Sequence, residues 1–119
     1  NHVVFAYNPS TGVISTTVNG NSHLEYTVEK NASWDGFKLD VAARKSAGTS
    51  VSFENVTVNG NAIGQDFIAE YSSYNTWTID CGGMDTSEGF IIEADLNLTG
   101  EGFGGEHSKV EIAFQRLSD

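Results

Sequence analysis

The sequence predicts an all-β domain, an antiparallel two-sheet β-sandwich of jelly-roll-like build with about nine strands. Three observations carry that expectation. Apolar residues recur at alternate positions along most of the chain, and no segment shows the spacing of an amphipathic helix. Thirteen glycines stand against one proline, a balance suited to short strands joined by tight turns. Two Asn-Gly steps, Asn19-Gly20 and Asn59-Gly60, lie between alternating segments, where both residues tolerate the positive φ of a hairpin turn. At 119 residues one hydrophobic core is expected, and the whole span 1–119 reads as a single domain.

The elements follow in order. Val3 to Tyr7 reads as a first strand, closed by the turn Asn8-Pro9-Ser10-Thr11-Gly12. Val13 to Val18 comes next, and after Asn19-Gly20 the segment His23 to Val28 places Leu24, Tyr26 and Val28 on one face. Phe37, Leu39 and Val41 share a face opposite Lys38 and Asp40. Beyond Lys45 to Gly48, Val51-Ser52-Phe53 runs into Val56-Thr57-Val58, and the change of parity between Phe53 and Val56 predicts a bulge near Asn55. Phe67 to Tyr71 and Thr76 to Cys81 read as strands around a turn at Ser72-Ser73-Tyr74-Asn75. A loop from Gly82 to Gly89 leads into the clearest alternation, Phe90, Ile92, Ala94, Leu96 and Leu98. A glycine-rich loop from Gly100 to Gly105 precedes the last strand, where Val110, Ile112 and Phe114 face inward. The matching segments Thr17 to Asn21 and Thr57 to Asn61 read as repeated turn chemistry rather than a structural repeat, because their flanks differ.

Charge narrows the partners. Sixteen carboxylates face six cationic side chains, for a formal net charge of −10, and no Lys or Arg occurs between Lys45 and Lys109. Nucleic acid and anionic lipid are excluded as partners on that ground, since both are bound by releasing counterions to Lys and Arg. A membrane span is also not expected, because no apolar run approaches about 18 residues. Neutral ligands or cations remain. The single cysteine, Cys81, rules out an internal disulfide and reads as a small core residue. Asn31, Asn55 and Asn97 stand in glycosylation sequons. An acidic surface rich in Asn, Thr, Ser and Gly fits a secreted or extracellular setting. With no basic-then-apolar leader before Asn1, the chain reads as a monomeric module within a larger protein.

Catalytic signals are weak. His2, His23 and His107 neighbour no serine motif that would make one of them a general base. Glu93 and Glu111 fall on expected neighbouring strands, which leaves a small glycoside hydrolase as the third reading. No cofactor is expected. A structural calcium is open at the acidic, glycine-rich segments Asp80 to Glu88 and Glu101 to Glu106, which lack a twelve-residue calcium loop.

The aromatic residues say more. Phe5, Phe37, Phe53, Phe67, Phe90 and Phe114 fall on inward parities and belong to the core. Trp34 instead lies in a polar loop beside Asp35, and Tyr71, Tyr74 and Trp77 cluster around Asn75 in a stretch of Ser, Asn and Thr. Exposed rings with polar edges are the tools for holding a sugar, its CH face stacked and its hydroxyls bonded to neighbouring Asn and Asp. Trp34, Tyr71, Tyr74, Trp77, Asn75 and Asp35 are therefore the candidate ligand-binding set. A core reading stands beside it for Trp77, which shares parity with Ile79 and Cys81, and for Tyr71, which shares parity with Phe67 and Ala69.

With Ser33-Trp34-Asp35-Gly36, the segment from Tyr71 to Trp77 and the strand from Gly89 to Gly100, the chain resembles a β-sandwich carbohydrate-binding module of bacterial plant-cell-wall-degrading enzymes. That resemblance implies non-catalytic binding of a neutral polysaccharide, a β-glucan, xyloglucan or mannan, to target an attached enzyme. The competing reading is a structural or adhesive sandwich of a bacterial extracellular protein.

Overall fold

A computed structural model describes residues 1–43, 49–70, 73–84, 86, 88–99 and 109–117. Among them the chain forms ten strands and no helix. These are β1 (His2–Asn8), β2 (Val13–Val18), β3 (Asn21–Thr27), β4 (Gly36–Ala43), β5 (Ser50–Val58), β6 (Asn61–Ala62), β7 (Phe67–Glu70), β8 (Ser73–Asp80), β9 (Phe90–Thr99) and β10 (Lys109–Gln115). They make two antiparallel sheets. The wide sheet runs β3-β2-β1-β9-β5-β6 with β7 also on β5, and the narrow one runs β10-β4-β8. The expected sandwich is therefore observed, with the two-residue β6 as a strand the sequence pattern was too short to announce.

The inward parities meet between the sheets. Phe37, Leu39 and Val41 from the narrow sheet pack with Val51, Phe53, Phe67, Phe90 and Ile92 from the wide one, all fully or almost fully buried. Phe90 holds the two layers together by edge contacts to Phe37 at 6.4 Å and Phe114 at 4.9 Å. Cys81 is buried in this core, and burial with the nearby charges of Asp80 and Asp35 pushes its thiol up to about 11. It is a packing residue and not a nucleophile.

Both Asn-Gly turns form as expected, with φ of 51° and 82° at Asn19-Gly20 and 49° and 82° at Asn59-Gly60. Each asparagine also clasps the neighbouring strand. Asn19 donates its backbone N–H to the His2 carbonyl (2.7 Å) and accepts the His2 N–H on its side-chain oxygen (2.8 Å). Asn59 does the same with Ile91, at 2.8 and 2.7 Å, and its side-chain amide donates to the Gly89 carbonyl at 2.9 Å. The likeness goes beyond the turns. Val18 pairs with Val3 as Val58 pairs with Ile92, so β1, β2 and β3 correspond to β9, β5 and β6. An approximate dyad between β1 and β9 carries the ladder pair Val3–Ala94 onto Ile92–Phe5. The two like segments thus mark a local structural symmetry, and the reading of turn chemistry alone is too narrow.

The bulge expected near Asn55 is present: the register of β5 on β9 shifts between Glu54 and Thr57, and Asn55 has φ 54°. Carboxylates staple it. The Asn55 side chain donates to Asp95 at 2.8 Å and its backbone N–H to Asp66 at 3.4 Å. Two expectations need correction. Residues 73–75 are strand, not turn, because β4 extends to Ala43 and offers them ladder partners that outweigh the turn preference of Ser and Asn. Glu93 and Glu111 are not on neighbouring strands; β9 lies in the wide sheet and β10 in the narrow one, on β4. The expected loop at Lys45 to Gly48, the glycine-rich loop after Thr99, and Tyr71 and Ser72 lie outside the described residues.

Two outcomes follow. Asn19→Ala and Asn59→Ala are each expected to lower unfolding free energy in urea by about 1–2 kcal/mol, through lost hydrogen bonds and a strained positive φ. Asn59→Ala is the costlier, since its amide donates to the part-buried Gly89 carbonyl, whereas the Asn19 amide donates to the exposed Asn1 side chain at 3.0 Å. The hydrogen bonds from Asn55 and His2 hold Asp95 below the ordinary carboxylate range. A lowered carboxyl contributes stability that is present above its unfolded value and lost as pH falls through its folded one. Asp95→Asn should therefore flatten the acid limb of a melting-temperature profile below about pH 4 and leave the neutral region nearly level.

Candidate functional site

Trp34 does not stand out from its loop. The segment 28–35 folds across the end of the sandwich, tied down by the Val28 N–H on the Gly12 carbonyl (2.7 Å) and the Asn31 N–H on the Pro9 carbonyl (2.9 Å). Buried Tyr7 reaches the same loop: its hydroxyl donates to the Glu29 carbonyl at 2.6 Å and accepts the Ala32 N–H at 2.9 Å. Trp34 then packs half-buried against the core, edge-on to Tyr7 at 5.9 Å, with the Arg116 guanidinium 5.9 Å above its ring. Arg116 is itself held by Glu29 at 3.8 Å. The indole N–H is buried and has no partner among the described residues, an arrangement that costs free energy and limits how firmly the plug is seated.

Asp35 joins strands. Its N–H donates to the Gln115 carbonyl (3.0 Å), its carbonyl accepts the Cys81 N–H (2.7 Å), and its carboxylate accepts the Leu117 N–H (2.5 Å). These bonds fasten the ends of β10 and β8 to the start of β4. Trp77 is half-buried, edge-on to Phe67 at 5.0 Å, and Asn75 donates its side-chain amide to the Ile68 carbonyl at 3.0 Å. Both residues close the corner where β7 of the wide sheet meets β8 of the narrow one. Tyr71 lies outside the described residues.

Tyr74 alone of the described set presents an open ring, 44% exposed. Alternation along β8 puts Tyr74, Thr76, Thr78 and Asp80 on the outer face of the narrow sheet, away from the core. Cross-strand register arranges that face in rows: Ala42 beside Tyr74, Glu111–Asp40–Thr76, and Ala113–Lys38–Thr78. The Thr76 hydroxyl donates to Asp40 at 2.7 Å, fixing the middle row. The result is a flat strip with one ring at its end and hydroxyls and charges along it. Ala42 shares that face beside Tyr74 and is fully buried, so the outer face is covered at this row even though Tyr74 itself is exposed.

A second feature escapes the sequence pattern. The half-buried Phe5 and Phe114 do not close the core on their side; with Leu24 and Tyr26 they line an apolar groove of about 380 Å³ between β3 and β10. Leu24, 55% exposed, and Tyr26, 46% exposed, share the inward parity that the alternation in His23 to Val28 announced. Nothing in that alternation says whether a facing strand covers it.

No group of three or more His, Cys, Asp or Glu is placed to hold a metal among the described residues. No protein-family model, curated protein or solved structure matches this chain.

Packing of Trp34 against Tyr7 sets its mutational outcome. Trp34→Ala should destabilise by about 2–4 kcal/mol, below a fully buried tryptophan because the ring is half-exposed. Thermal melting of the variant checks this, and a melt unchanged from wild type would place the ring outside the core.

Proposed function

We propose that the protein is a non-catalytic module that binds a neutral polysaccharide on the outer face of its narrow sheet, with Tyr74 as the stacking ring. Tyr74 carries this reading, because a ring 44% exposed at the end of a strip of hydroxyls and charges offers a sugar both an apolar face and hydrogen-bonding neighbours. Thr76, Thr78, Asp40 and Lys38 supply donors and acceptors along the strip at strand spacing, the kind of ladder a linear glycan's hydroxyls would follow. The ligand is neutral on this reading, since a chain of net charge −10 repels polyanions. A β-glucan, xyloglucan or mannan fits that description, and the module would serve a secreted enzyme to which it is joined. Trp34, Trp77, Asp35 and Asn75 support this face from behind and from its ends instead of touching the sugar.

Electrophoresis through gels containing xyloglucan, mixed-linkage glucan, mannan or xylan tests the proposal. Retardation on one of the neutral polymers is expected. Tyr74→Ala should weaken it by roughly one to two orders of magnitude, by analogy with the stacking of a base on an aromatic ring. Thr78→Val should weaken it by a smaller factor, with the melting temperature kept in both. Migration unchanged on all four polymers would favour the structural or adhesive module.

A further inference from the structure

The groove between β3 and β10 has the form of a missing strand. The narrow sheet stops at β10, whose outer edge pairs with no strand among the described residues, while the wide sheet continues beneath it through β1, β2 and β3. One wall is the inward face of β10, with Val110, Ile112 and Phe114 half-buried. The other is the inward face of β3, with Leu24 and Tyr26 largely open to solvent, and Phe5 lies in the floor. Both walls are apolar, and a row of backbone donors and acceptors runs along one of them.

That combination selects the occupant. Apolar walls alone would suit any greasy group, but an open strand edge beside them suits an extended chain, which pairs with the edge and alternates its side chains into the groove and out of it. Charge selects further. Glu111 stands on β10 at the groove's margin, at the outward parity an added strand would sit beside. The chain as a whole carries −10, so a second copy would bring a like charge against the first. We propose that β10 accepts, by strand addition, an extended segment of a partner protein whose inward side chains are aliphatic and whose outward side chains are Lys or Arg. This site lies at the sheet's edge and does not depend on glycan binding at Tyr74.

A capped peptide of alternating valine and lysine, long enough to span β10, is the probe. Titrated into the whole protein, it should bind saturably and slow amide exchange along β10. The valine–glutamate counterpart should bind about tenfold more weakly, as should a valine–lysine peptide N-methylated on its edge-facing amides. Leu24→Gln, at an exposed position, should weaken binding severalfold without moving the melting temperature, and Glu111→Lys should reverse the order of the two peptides. Absence of binding, equal affinity for both charges, or indifference to N-methylation would overturn the proposal. Sedimentation showing a dimer with β10 protected from exchange would also overturn it, assigning the groove to a second copy.

Discussion

The wide sheet presents apolar side chains on its inner face across β3, β2, β1, β9 and β5, and among the described residues three strands lie opposite. At about 4.8 Å between strands, the narrow sheet cannot span that width. It sits over β9, β5 and β7, where burial is complete at Phe53, Phe67, Phe90 and Ile92. Toward β2 and β3 the cover thins. Ile14 is still buried, while Leu24 and Tyr26 on the last strand stand open. The hydrophobic term scales with apolar area removed from water, so the core's stability is concentrated in one half of the molecule. The other half is held chiefly by hydrogen-bonded ladders and by the Asn19 clasp.

That clasp keeps the wide sheet in register where packing is weakest, while its counterpart at Asn59 sits beside the buried Val58, Phe90 and Ile92. Register in a strand with one dry face is set by the side chains it must bury. On β3 that signal is faint, because the dry face is half wet. A bidentate asparagine that copies a strand's own donor–acceptor pair fixes the hairpin against His2 without help from the core. The dyad between β1 and β9 explains why the same five residues appear twice. The same corner, a hairpin leaving a sheet beside the start of a neighbouring strand, arises at two places and is solved by one chemistry.

Strand positions, inward parities, both Asn-Gly turns and the Asn55 bulge could be read along the chain, because each depends on residues within a few positions of one another. The allocation of strands to sheets could not. The separation of Glu93 from Glu111 and the exposure of Leu24 depend on which strand faces which, a choice made by the whole core. Trp34 shows the same limit at one residue. Its neighbours Asn31, Ser33 and Asp35 are polar, as a binding loop's would be, yet Tyr7 draws the loop inward from 27 positions away. Local polarity reports what a segment can bear, and a distant hydroxyl that satisfies two of its backbone groups decides where it goes. Ser73 to Asn75 follow the same rule, drawn into β8 by the partners that β4 supplies.

The two edges of the narrow sheet are treated differently, and the contrast bears on function. At β8 the corner with the wide sheet is shut: Asn75 bonds the Ile68 carbonyl and Trp77 packs edge-on to Phe67. Charges, short strands and covering side chains are the ordinary means of protecting an edge from unwanted pairing, and β8 has such a cover. At β10 none of the described residues provides one, although the strand is seven residues long and carries apolar side chains at alternate positions. An edge left open on one side of a three-stranded sheet, with the other closed by a tryptophan and an asparagine, is an asymmetry that general sheet physics does not demand. Together with the exposed Leu24 and Tyr26 of β3, it gives the β10 edge the geometry to receive a strand.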